Sequence, residues 1–140
     1  NYKKMNPKDV ANMLEEGRSH LAFMVSIYRE QLRHGRHFLH GHPVSASSWK
    51  EDNILELMSD PRVHKVTCDQ CQFGLTTEGS KEGGRLPAMK PTRFISPSIH
   101  MISQLDRRCD RSHTHQHLTG GRCADAAFIL CHLYGQFSRA

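Results

Sequence analysis

Five cysteines and eleven histidines are the residues of this 140-residue chain best equipped for chemistry. Cys68 and Cys71 are separated by the two-residue gap that lets two thiolates reach one metal ion from a tight turn. Downstream, the run Cys109-Asp110-Arg111-Ser112-His113-Thr114-His115-Gln116-His117 adds one thiol and three imidazoles. In extended backbone alternate side chains share a face, so His113, His115 and His117 can converge. Zinc accepts mixed sulfur and nitrogen ligands at about 2.0–2.3 Å, and a polar segment with few apolar side chains gains order from such a clip. The expected ligand set is Cys71, Cys109, His113 and His115, with Cys68, His117 and His42 in reserve. The competing expectation is a His-rich surface loop beside two unrelated buried thiols.

Other reactive constellations are missing. No local signature marks a Ser or Cys nucleophile with its base. Gly83-Gly84 and Gly120-Gly121 lack a phosphate-loop pattern, and no paired carboxylates suit acid–base work. Cys123 and Cys131 are expected as small core residues of a last helix. An odd cysteine count without an apolar leader points to free thiols or ligands in a reducing, intracellular setting, nuclear or cytoplasmic. The net charge of +5 favours polyanionic partners, and Arg107, Arg108, Arg111 and Arg122 flank the Cys/His run as candidate phosphate contacts. No apolar run is long enough to span a bilayer.

The elements that must position these groups follow from periodicity. The length suits one domain over 1–140, and without an initiator Met it is expected to be a fragment of a longer chain. With 37% hydrophobic residues, a thin core with long polar loops is expected. Asn6-Pro7-Lys8-Asp9 starts a helix whose stripe runs Val10, Met13, Leu14, Gly17, Leu21, Met24, Tyr28, Leu32 and stops at Gly35. His20 beside the stripe is expected as a hydrogen-bonded core histidine. Arg36 to His40 is a strand broken by Gly41-His42-Pro43. Ser48-Trp49-Lys50-Glu51 reads as a capping box for a helix that ends at Asp60-Pro61. Strands are expected at Val63–Thr67, with Gln72–Leu75 as an extension, and at Arg93–Ile95. Thr76 to Ala88 reads as a mobile loop. Ser96-Pro97 caps a helix through Arg108; Cys109 to Arg122 is irregular, and Ala124 to Tyr134 is the last helix. The sum is a small layered α/β domain: a short sheet, helices packed on it, and a metal-clipped Cys/His loop.

Several segments, in order, resemble a known family. They are His20-Leu21-Ala22-Phe23 with Tyr28 and Gln31, then Gly35 to Pro43 followed by Ala46-Ser47-Ser48-Trp49. Next come Asp69-Gln70-Cys71-Gln72-Phe73-Gly74-Leu75 and Lys90-Pro91-Thr92-Arg93-Phe94, and last Arg108-Cys109-Asp110 running to His115 and Gly121-Arg122. From about Pro7 to Ala127 this is similar to the methyltransferase-like region of retroelement (copia-type) polyproteins, itself similar to the second half of DNA cytosine-5 methyltransferases. The resemblance implies that Gly41 stands where a methyltransferase carries the Glu that contacts the target cytosine. It also implies that Lys90 to Phe94 is a basic motif supporting active-site loops. No cysteine follows a proline, so the Pro-Cys nucleophile is missing, and the cofactor-binding half lies outside the chain. Phe128-Ile129-Leu130-Cys131 and Ser96-Pro97-Ser98 also depart from the family pattern.

The expectation is therefore a zinc-stabilised, catalytically degenerate methyltransferase-like module that binds nucleic acid or a larger assembly. The alternatives are a zinc-dependent nuclease or hydrolase, or half of a split DNA methyltransferase.

Overall fold

The computed structural model describes residues 5–79 and 84–118. Helix α1 (Pro7–Arg33) starts where the Asn6 side chain accepts the Lys8 N–H at 3.0 Å, with Pro7 in its first turn. It ends at Gly35, whose φ of 64° suits a residue without Cβ, and the Arg36 N–H then donates back to the Gln31 carbonyl. Only the second half of the stripe is buried, through Leu21, Val25, Tyr28 and Leu32. From Pro7 to His20 every residue except Val10 is exposed. His20 is thus a surface residue rather than a core one, because the elements that cover the stripe reach only its second half.

Strand β1 spans His40–Pro43, so the segment expected to break a strand is the strand. Its partner fixes this: β1 pairs antiparallel with β5 (Pro91–Ser96) as an edge, where a proline costs no ladder bond. The residues before it are held elsewhere, with the Phe38 ring stacked on Tyr28 at 4.3 Å. The expected capping box is absent too. Residues Ser47–Lys50 form a 3-10 turn whose buried Trp49 donates Nε1–H to the Pro43 carbonyl at 2.9 Å. Helix α2 (Asp52–Ser59) follows, with no side chain capping its start.

Strand β2 (His64–Asp69) joins the other side of β5, giving an antiparallel sheet in the order β1-β5-β2. The stretch 76–88, expected as a loop, contains a hairpin of β3 (Thr76–Glu78) and β4 (Arg85–Pro87). β-Branched Thr76 and Thr77 favour the pleat. The Arg85 guanidinium ties the two strands by donating to the Thr76 hydroxyl and carbonyl. Helix α3 covers Ile99–Leu105, shorter than expected, and its cap is Ser98 rather than Ser96. Residues 109–118 are irregular, as expected. The expected last helix, with Cys123, Cys131 and Arg122, lies outside the described residues.

The register sorts the sheet into two faces. His40 and His42, Arg93 and Ile95, and Lys65 and Thr67 share one; Gly41, Phe94 and Val66 share the other. Ile95 packs with Tyr28, Leu32, Trp49, Ile54 and Leu57 of the α1–α2 layer. Phe94 and Cys68 pack with Ile102 and Leu105 of α3. The chain is accordingly a small layered α/β domain, with a third, minor cluster of Leu75 and Ala88 against Leu118.

Two positions generate predictions. A Cβ on Gly41 would lie 2.2 Å from Cε1 of Phe94, which is 1% exposed. Gly41→Ala should therefore cost about 1–3 kcal/mol in chemical denaturation, through forced repacking. His40 sits between Tyr28 and Trp49, and burial, then the charge of His42, lowers its pKa from 6.5 to about 4. Below pH 6.5 the unfolded chain takes up a proton that the folded chain refuses, so stability falls as pH drops toward 4. The loss should approach about 3 kcal/mol at roughly 1.4 kcal/mol per pKa unit. Urea unfolding against pH should show it, and His40→Asn should flatten the curve by that share.

Candidate metal centre

The cluster is assembled where β2 ends. Its last residue, Asp69, leads into a 3-10 turn (Gln70–Phe73) that replaces the expected strand extension and carries Cys71. Gly74, at φ 82°, closes the turn, with its N–H on the Cys71 carbonyl at 3.2 Å. Gln70 anchors the turn from below. Its backbone N–H donates to the Met89 carbonyl at 2.8 Å, and its buried side chain donates to the Thr92 hydroxyl at 2.7 Å. Cys71 is thereby fixed relative to both β2 and β5.

The second half of the cluster arrives from α3. Leu105 is fully buried under the sheet, and the chain leaves the helix directly beneath the end of β2. There the Asp69 N–H donates to the Arg107 carbonyl at 3.0 Å, and the Asp69 carboxylate accepts the Cys109 N–H at 2.9 Å. Arg108 Nε lies 3.3 Å from the same oxygen. One carboxylate, 2% exposed, thus fixes the backbone of the next cysteine. Beyond it, the Gln116 N–H donates to the Pro87 carbonyl, which sets the loop against the hairpin.

Four ligand atoms meet as a result. Those of Cys71, Cys109, His113 and His115 all lie within 4.8 Å of one another, in half-buried surroundings. The Cys109 sulfur is 3.4 Å from His115 Nε2 and 3.7 Å from His113 Nε2. A tetrahedron with bonds of about 2.0–2.3 Å has edges of roughly 3.3–3.8 Å, so these separations suit a common central ion. The two imidazoles stand edge to face with centroids 4.6 Å apart, which points both Nε2 atoms toward the sulfur without stacking the rings. Arg111 takes a left-handed φ of 63°, and its N–H donates to the Cys109 sulfur at 3.3 Å. Such N–H donors to a ligating sulfur are a common companion of metal–thiolate sites. The group could hold a metal ion.

The electrostatics agree with the burial. Desolvation first, then the hydrogen bond and charge of Cys109, push the Cys71 thiol up. Two thiolates side by side repel, and a cation between them reverses that balance. Cys68 is pushed up to about 11, chiefly by burial and then by Asp69.

The reserve ligands stand apart from the group. Cys68 is fully buried in the core with Phe94 and Ile102 because β2 directs it to the α3 side. His42 is on β1 against Ser48. His117 is exposed and lines a cavity of about 480 Å³ with Met89, Lys90 and His115. Of the four arginines, Arg107 lies over the Phe73 ring at 5.2 Å, Arg108 meets Asp69, and Arg111 follows Cys109; Arg122 lies outside the described residues. Asp69 and Gln70 were not singled out by spacing. Their signals were position between two cysteines and a place in one segment of the family resemblance, and neither speaks of the loop they hold. Among the described residues, no helix is long and apolar enough to cross a membrane.

Asp69→Ala removes the acceptor that orients the Cys109 backbone. Metal affinity, measured by competition with a chromophoric chelator, should fall about 10–100-fold, as for other groups supporting ligands. No protein-family model, curated protein or solved structure matches this chain.

Proposed function

We propose that the chain is a zinc-stabilised binding module, a catalytically degenerate relative of the methyltransferase-like regions, that engages nucleic acid or a larger assembly. One observation carries the metal part: two thiols and two imidazoles from segments separated by a hairpin, a strand and a helix lie within 4.8 Å of one another. Two sulfur and two nitrogen donors are a set that zinc accepts in tetrahedral geometry. Four protein donors also complete that coordination shell, leaving no place for a reactive water. This favours a structural ion over the zinc-dependent nuclease or hydrolase, which needs an open position.

The binding part rests on charge. The chain carries +5, and Arg107, Arg108 and Arg111 belong to the same loop as the ligands. Arg108 keeps 55% of its side chain exposed while its Nε rests near Asp69, so its remaining N–H groups can reach a phosphate. Zinc would then act by holding these arginines in one arrangement. The degenerate part rests on Gly41. A Cβ there collides with Phe94, so a Glu at that place would require the central strand to be repacked. A split methyltransferase would need a partner to supply both the nucleophile and the cofactor half.

Purified protein should contain about one zinc per chain, and Cys109→Ser or His115→Ala should lose it. Binding to an oligonucleotide should weaken with salt, with a log–log slope of about −3 if three arginines meet phosphates. Arg107→Ala should reduce that slope by about one. Affinity that ignores salt, or that survives zinc removal unchanged, contradicts the proposal.

A further inference from the structure

The sheet face turned toward α1 and α2 carries a second polar group that the proposal above does not use. His42 and Arg93 are register partners on β1 and β5, so their side chains rise from the same face. The Arg93 guanidinium lies 5.2 Å from the Trp49 ring centroid. Trp49 is itself 5% exposed and pinned through Nε1–H to the Pro43 carbonyl, which makes a fixed platform. Among the described residues, no hydrogen bond or ion pair engages the Arg93 guanidinium.

The neighbours sharpen the imbalance. His42 places Nδ1 at 2.7 Å from the Ser48 hydroxyl, which fixes the ring and leaves Nε2 for another partner. His40 lies 6.2 Å away, ring to ring, and its Nε2 is buried without a hydrogen-bond partner among the described residues. Lys90 is near enough for its charge to act on His42. No carboxylate pairs with His40, His42 or Arg93 among the described residues. Arg93 is half-buried, so its guanidinium offers N–H donors at the edge of this face for an incoming acceptor.

We infer that Arg93 and His42, on the Trp49 platform, form a receptor for a phosphoryl oxyanion. A guanidinium held over a ring face keeps N–H groups for a further partner, and their fork matches two oxygens of a phosphate. The His42 imidazole supplies a further donor from the neighbouring strand. The receptor uses none of the arginines of the Cys/His loop, so it stands or falls independently of them.

Trp49 is the chain's single tryptophan, so its fluorescence reports this place directly. The zinc-loaded protein is titrated with inorganic phosphate against chloride at constant ionic strength, and separately with a short oligonucleotide. A saturable change with phosphate is expected. Arg93→Gln should weaken it about tenfold or more, as loss of a charged hydrogen-bonding fork implies. His42→Gln, at an exposed residue outside the Cys/His cluster, should weaken it several-fold with zinc content unchanged. Competition between oligonucleotide and phosphate at Trp49 assigns the oxyanion to a nucleic-acid backbone; its absence assigns it to a small phosphorylated ligand. A phosphate response retained in Arg107→Ala separates this receptor from the loop arginines. No saturable response to either probe overturns the inference. So does equal affinity in Arg93→Gln, which would leave Arg93 as a cover for Trp49 alone.

Discussion

The stretch from Arg107 to Leu118 forms no helix or strand, and it must hold two imidazoles and a thiol beside a cysteine from a distant turn. Among the described residues it is tied down by Arg107, Arg108 and Cys109 on Asp69, by Arg107 over Phe73, by Gln116 on Pro87, and by Leu118 against Leu75 and Ala88. Fixing each backbone residue costs about 1–2 kcal/mol of conformational entropy, which a segment without a helix or strand ladder must offset by other attractions. An ion shared by Cys71, Cys109, His113 and His115 would supply one such attraction and relieve the crowding of two thiols. The rest of the functional reading depends on that convergence.

The sheet prepares it from the inside. Strand β5 is central, so Pro91 and Thr92 at its start lie beside Asp69 and Cys68 at the end of β2. Gln70 is locked to Thr92, and Asp69 to the exit of α3. Both are buried polar residues, and one oxygen of each lacks a hydrogen-bond partner among the described residues. Such groups persist where geometry matters more than local stability. The same strand carries Arg93 one step along, on the face opposite Phe94, so one element serves both the Cys/His cluster and the Trp49 platform.

Much of this arrangement was legible in the sequence, for reasons that differ by element. The start of α1 was readable because Asn6 and Pro7 act locally, and β2 because Val66 lies in a β-favouring run. The cysteine and histidine spacing singled out the same four residues whose ligand atoms converge. What was not legible depends on partners distant in sequence. His40–Pro43 looks like a break until β5 is placed beside it. The 3-10 turn at Ser47–Lys50 owes its form to Trp49 reaching Pro43. The hairpin within 76–88 was hidden by its glycines and charges, although Thr76 and Arg85 hold it together. The role of Asp69 was not legible from its place beside Cys68, since it lies in a contact to Cys109, 40 residues away.

X-ray absorption at the zinc edge of the reconstituted protein probes the shared ion itself. A shell of two sulfurs at about 2.3 Å and two nitrogens at about 2.0 Å is the predicted result. A shell of nitrogen and oxygen alone, without sulfur, would mean that Cys71 and Cys109 do not hold the ion, and would contradict the account.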